Sequence, residues 1–225
     1  MKYIIFDAGP IISLTMNGLL PVLEKLKKEF NGEFILTPAV KKEVIDKPLK
    51  IKKYKLEALQ VNELLRKGVF TPSSKVIPNQ KLHKESSTIL KKVNNLFKSS
   101  RTGERIKLLH NGEASCMAFS NLCGCDSVIV IDERATRILI EAPENLKGLL
   151  SRKLGSDVIE VGSQGDNLRN HKFIRSAELM YLAYKKGLLQ EKTKEFLDAV
   201  LFALKFKGTA ISSGEIEEIK KMAVL

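Results

Sequence analysis

The feature that most constrains this chain lies in its first ten residues. Tyr3-Ile4-Ile5-Phe6 runs straight into Asp7, and Ala8-Gly9-Pro10 turns the chain at once. So short an apolar run, closed by Gly-Pro, predicts a buried strand. A buried strand that ends on a lone carboxylate is costly unless water, a partner or a metal receives the charge. In parallel α/β sheets the functional crevice lies at the carboxyl ends of the strands, which is where Asp7 would sit. The competing reading is plain capping, since Asp is a favoured helix N-cap.

A second strand with the same ending comes much later. Asp126-Ser127-Val128-Ile129-Val130-Ile131-Asp132 again closes an apolar run with a carboxylate. Two further acids stand near helix starts. Thr37-Pro38-Ala39-Val40 opens a helix, with Thr37 as cap and Pro38 at the first helical position, and Glu43 follows about a turn and a half in. Asn111-Gly112-Glu113-Ala114-Ser115 opens another, with Glu113 in its first turn. Each has a structural alternative: Glu43 as a solvated acid among lysines, Glu113 as an acid favoured by the helix dipole. Together, four carboxylates so placed would repel one another unless protonated or bound to cations. Hard divalent cations take oxygen ligands of this kind, and a site of that type activates water and stabilises the leaving oxygen of a phosphodiester.

Charge supports the same direction. The chain of 225 residues carries a net charge of +12, which favours polyanionic partners, nucleic acid first. The excess is local: residues 41–107 hold 15 Lys and 3 Arg against 6 acids, and the remainder has 20 of each sign. A solvated lysine-rich surface is the alternative. Lys91, Lys92, Lys98, Arg101 and Arg105 are the candidate phosphate contacts. The 44% hydrophobic content suits a packed core, and no apolar stretch approaches the roughly 18 residues of a membrane span. The expectation is a cytoplasmic protein with no membrane partner. Cys116, Cys123 and Cys125 lack zinc spacing, and His83, His110 and His171 are scattered. A nucleophilic Cys–His or Ser–His mechanism therefore has no visible support.

The expected order continues with a helix over Leu19–Phe30 and a strand over Glu33–Leu36. Residues 46–110 show helical spacing at 51–65 and 82–97 and one weak strand at 68–71. They predict a basic helical hairpin inserted into an α/β domain. Residues 157–161 are the last candidate strand. From 163 to 225 the pattern is helical, with helices over 173–186 and 191–206 and a capping box at Ser212 and Glu215. Arg137 is placed to neutralise Glu133 one turn earlier.

The ordered set of acids resembles the PIN-domain nucleases. Asp7-Ala8-Gly9-Pro10-Ile11-Ile12-Ser13-Leu14 with Gly18-Leu19-Leu20 is similar to that family's first motif, and Thr37-Pro38-Ala39-Val40-Lys41-Lys42-Glu43-Val44 to its second. Gly112-Glu113-Ala114-Ser115 is similar to the third, and Val130-Ile131-Asp132-Glu133-Arg134-Ala135-Thr136-Arg137 to the fourth. Ala183-Tyr184-Lys185-Lys186-Gly187-Leu188-Leu189 resembles an archaeal and bacterial branch of the family. The resemblance implies a three-layer α/β/α core with a central parallel sheet; the chain's own pattern places that core in 1–162, with 46–110 as an insertion longer than the family's usual connection, and a helical extension over 163–225. The resemblance implies Mg²⁺ or Mn²⁺ held by Asp7, Glu43, Glu113 and Asp132, with Glu133 as the further acid available. It also implies hydrolysis of single-stranded RNA, a homodimer, and a role as the toxin of a toxin–antitoxin pair, with an antitoxin partner, or as an RNA-processing nuclease. The alternative is a non-catalytic nucleic-acid-binding protein on the same scaffold. A haloacid-type phosphatase wants a second Asp where Gly9 stands, and a dinucleotide site wants a glycine-rich turn that Ala8-Gly9-Pro10 lacks.

Overall fold

Four of the five short runs expected as strands, all but 157–161, become strands of one parallel sheet. The computed structural model describes residues 2–162 and 171–223. The elements run β1 (Tyr3–Phe6), α1 (Ala8–Met16), α2 (Leu20–Glu29), β2 (Glu33–Leu36), α3 (Pro38–Lys41), α4 (Lys55–Arg66), β3 (Phe70–Pro72), α5 (Asn79–Val93) and β4 (Phe97–Ser99). They continue α6 (Asn111–Leu122), β5 (Ser127–Val130), α7 (Arg134–Glu141), α8 (Leu146–Leu154), β6 (Val158–Glu160), β7 (Lys172–Ile174), α9 (Ser176–Lys185), α10 (Lys194–Phe206) and α11 (Ser213–Met222).

The central sheet has five strands in the order β3-β2-β1-β5-β7, all parallel, and helices flank it. The chain steps outward from β1 through β2 to β3, then returns to the other side of β1 with β5 and β7. The strand order therefore reverses between β1 and β5, where Phe6 stands opposite Val130. At such a reversal the loops leaving adjacent strands part in opposite directions and open a crevice at their carboxyl ends. Asp7 leaves β1 and Asp132 leaves β5 at that point. Phe6 anchors the strand below, packing on the rings of Phe34 and Phe70 at 5.2 and 5.3 Å between centroids.

Three expectations of organisation are corrected. The segment 46–110 is not an inserted hairpin. Val69 and Phe70 are buried and β3 pairs with β2, so α4 is the crossover helix between two parallel strands and packs on α1 and α2. The expected helix over 82–97 stops at Val93, and Phe97–Ser99 forms β4. Second, the strand expected at 157–161 lies outside the main sheet, as β6 antiparallel to β4. Third, the segment 163–225 is not a purely helical extension. The residues expected to start a helix at Phe173 include β7, which pairs with β5 and completes the sheet. Residues 163–170 of that segment lie outside the described residues. The helices α9, α10 and α11 share one hydrophobic core with the sheet through Met180, Leu201 and Ile216. No described helix is long and apolar enough to cross a membrane.

Candidate acidic site at the strand reversal

Asp7, Glu43, Glu113, Asp132 and Glu133 all line one cavity of about 460 Å³ at the carboxyl ends of β1 and β5. Their positions follow from local chain chemistry. Asp7 holds the N-cap position of α1, with extended backbone, yet its carboxylate makes no capping hydrogen bond. True side-chain caps occur elsewhere: Thr37, Thr193 and Ser212 each accept from the backbone N–H three residues on. The Asp7 side chain instead projects to Gly112. A methyl group there would lie 3.0 Å from Asp7 Oδ1 and 3.4 Å from Glu43 Oε2. Glycine thus lets the first turn of α6 close on two acids at once. The Thr37 hydroxyl bonds that of Ser115 at 2.6 Å, and Ser115 donates to the Gly112 carbonyl at 2.7 Å. The start of α3 is thereby fastened to the start of α6.

Glu43 is delivered by a feature the sequence did not announce. After α3 the chain widens into a π turn over Lys42–Asp46, with the Lys47 N–H bonding the Lys42 carbonyl at 3.0 Å. Such turns are rare and recur at functional sites. Val44 and Ile45 are buried by it, while Glu43 is half-buried at the cavity wall.

Glu113 serves two ends. Its Oε2 accepts from the His110 backbone N–H at 2.7 Å, the helix-start role, and its Oε1 accepts from Thr136 at 2.5 Å. The His110 ring stands 3.5 Å from the same carboxylate. Asp132 is the most enclosed of the acids, at 4% exposure. Its oxygens accept from the Ser176 N–H at 2.9 Å, from the Ser176 hydroxyl at 3.0 and 2.9 Å, and from Thr209 at 3.0 Å. Asp132 therefore ties the end of β5 to the start of α9. Its neighbour Glu133 is exposed, and Lys153 rather than Arg137 is its partner, at 3.7 Å. Arg137 turns away to Glu141 at 3.2 Å, so the expected Glu133–Arg137 pair is not made.

The electrostatics are those of crowded acids. Burial above all pushes Asp7 up to about 7; the charges of Glu113 and Glu43 add to this, against the backbone N–H groups of Ala8 and Gly9. Burial also raises Glu113, opposed by Thr136 and His110 and reinforced by Glu133. Burial raises Asp132 despite its hydrogen bonds from Ser176 and Thr209. The buried Cys116 thiol is held well above its ordinary value, first by burial and then by Asp7, Glu113 and Glu43. Among the described residues, no group of three or more Asp, Glu, His and Cys side chains stands in the arrangement of a metal site.

The basic residues singled out in the sequence are elsewhere. Lys91, Lys92, Lys98, Arg101 and Arg105 do not line the cavity, and Arg105 donates to the Asn95 carbonyl at 2.9 Å. The cations that do line it are Lys107 and Lys153, beside His110. Lys107 lies in the approach to α6, three residues before His110. Lys153 comes from α8 and carries no local signal.

No family model, no curated protein and no solved structure matches the chain.

Proposed function

We propose that the chain is a metal-dependent endoribonuclease with a three-layer, PIN-like α/β/α core. The observation that carries this reading is Asp7: a carboxylate only 8% exposed, without a capping hydrogen bond, beside Glu113 and Glu43 at the strand reversal. Burying an acid among acids is costly when only the Ala8 and Gly9 N–H groups offset its charge. A divalent cation relieves that cost, and an oxygen-only donor set suits Mg²⁺ or Mn²⁺. Asp7 and Glu113 would hold it, with Glu133 as the exposed acid able to turn inward. Like charges with nothing between them stay apart, so the set is expected to draw together only on binding. When bound, the cation supplies charge neutralisation and Lewis-acid polarisation at the phosphodiester.

The chain's own groups do the rest. Glu43, partly open to solvent, would orient the attacking water and take its proton as the water oxygen bonds phosphorus; the P–O bond to the leaving ribose oxygen breaks, and that oxygen takes a proton from solvent. Lys107 and Lys153, which line the same cavity, hold phosphate oxygens. Asp132, saturated by Ser176 and Thr209, fixes the end of β5 and so positions Glu133; this differs from the direct ligand role that the resemblance implies. No protein nucleophile is proposed. RNA as substrate, a homodimer, and an antitoxin partner rest on the resemblance to PIN-domain nucleases.

The test is cleavage of labelled single-stranded RNAs with Mn²⁺. The proposal expects cutting by the wild type, none in EDTA, and at least a hundredfold loss in Asp7→Asn. Equal cutting by Asp7→Asn, or none by wild type across varied RNAs, contradicts it. Metal-independent binding without cleavage would favour the binding-protein reading.

A further inference from the structure

The acidic cavity does not end at Glu133. It shares Glu133, Ala135 and Lys153 with a second hollow of about 470 Å³, which Arg134 and Arg152 also line. That hollow in turn shares Arg134 and Ala210 with a third, of about 610 Å³, where Arg137 and Lys205 stand. The three hollows adjoin in series, a groove defined by the lining residues they share. It leaves the acids between α7 and α8 and runs on beside the chain that follows α10.

The charge along this groove reverses as it leaves the crevice. Its outer two hollows are lined by six cations and three carboxylates. The carboxylates are matched: Glu133 to Lys153, Glu141 to Arg137, and Glu215 to the buried Arg175. Lys205 donates to Ser213 at 2.6 Å. Arg134 and Arg152 are exposed and have no ion pair or hydrogen-bond partner among the described residues. A guanidinium presents a planar fork of donors that fits phosphate oxygens. An unpartnered pair of them in a groove that opens onto clustered acids is arranged for a polyanion that must reach those acids.

We infer that the substrate strand runs from the acidic crevice along the α7–α8 groove, with Arg134 and Arg152 as its backbone phosphate contacts. This rests on the nuclease reading above and deepens it. It places the track that leaves the crevice on residues outside the lysine-rich segment 41–107; Lys107 of that segment lines the crevice itself, and Lys91 and Lys92 line none of the three hollows. The net charge of the middle segment then serves long-range attraction, and the groove serves register.

The experiment is binding of a fluorescent single-stranded uridine dodecamer in EDTA, where no metal-dependent cleavage occurs, over a series of salt concentrations. Arg134→Ala/Arg152→Ala is compared with Lys91→Ala/Lys92→Ala, which removes the same charge. Each lost phosphate contact lowers the salt slope of a single strand by about 0.7. The groove variant is expected to lose about 1.4 in slope and tenfold or more in affinity, with an unchanged melting temperature. The control stays within twofold of wild type. Equal losses in both variants, or a loss only in the control or in Lys42→Ala/Lys47→Ala on the Glu43 side, overturns the path. In that case Mn²⁺-dependent cleavage abolished by Asp7→Asn would leave the nuclease reading standing. Failure of the wild type to bind any oligonucleotide overturns both.

Discussion

Replacing Asp7 with asparagine should stabilise the metal-free protein while removing its activity. The carboxyl is held at about 7 against an ordinary 3.8, and burial is the main cause. The folded state thus keeps a proton that the unfolded chain has already released. Stability therefore falls as pH rises from about 4 to about 7, and the full cost is present above that range. A shift of roughly three units, at about 1.36 kcal/mol each, sets that cost near 4 kcal/mol as an order of magnitude. For a chain of this size about 1 kcal/mol moves the midpoint by roughly 2–4 °C, so Asp7→Asn should melt about 10 °C higher at pH 8 in EDTA. At pH 4 the two proteins should melt together. Glu113 and Asp132 are raised as well, so the wild type has other sources of pH dependence; the difference between the two proteins isolates Asp7. Saturating Mn²⁺ should stabilise the wild type, by about 2.7 kcal/mol at a hundredfold excess over Kd, and leave Asp7→Asn unmoved. Calorimetric melting across pH 4–8 reads all of this. A variant no more stable than wild type at pH 8, with a parallel pH profile, would refute the claim that Asp7 is a buried charge its backbone donors do not offset.

Other outcomes follow from single contacts. Ser176→Ala removes one of the two hydroxyl donors to the buried Asp132 carboxylate and should cost about 1–3 kcal/mol in urea unfolding; an unchanged midpoint would show that the Ser176 N–H and Thr209 suffice. Gly112→Ala puts a methyl 3.0 Å from Asp7 Oδ1, so RNA cleavage should fall at least tenfold while the melting temperature moves by only a few degrees. Phe70 is buried on β3 against Phe6, and Phe70→Ala should destabilise the whole chain by about 3–5 kcal/mol in one cooperative transition. A separate early transition would instead mean that the 46–110 segment folds apart from the sheet.

What was legible in the sequence was local. β1, β2 and β5 are four-residue strands with three or four apolar residues each, set between turn signals, and the acids that end or follow them are legible in place. Thr37-Pro38 and the Ser212–Glu215 box announce their helix starts by chemistry within one turn. The misreadings are all non-local. β7 is three residues long, and Lys172-Phe173-Ile174 becomes a strand because β5 offers it hydrogen bonds, not because of its own pattern. β3 is equally short, and its pairing with β2 decides that α4 belongs to the core. The π turn that turns Glu43 to the cavity wall leaves no composition signature. Lys153 meets Glu133 from a different helix, while the denser lysines of α5 drew attention to a surface away from the acids. The burden on Asp132 was hidden for the same reason, since its donors Ser176 and Thr209 lie 44 and 77 residues away.

The central claim is that these acids form a cation site, and calorimetric titration of Mn²⁺ into the metal-free protein at pH 7 tests it most directly. Wild type should bind, and should release protons on binding because Asp7 titrates near that pH; repeating the titration in buffers of different ionisation enthalpy reads that release. Asp7→Asn and Glu113→Gln should give no binding heat. If wild type gives none at millimolar Mn²⁺, with and without a short RNA oligonucleotide, the acids are not a metal site and the nuclease reading is wrong.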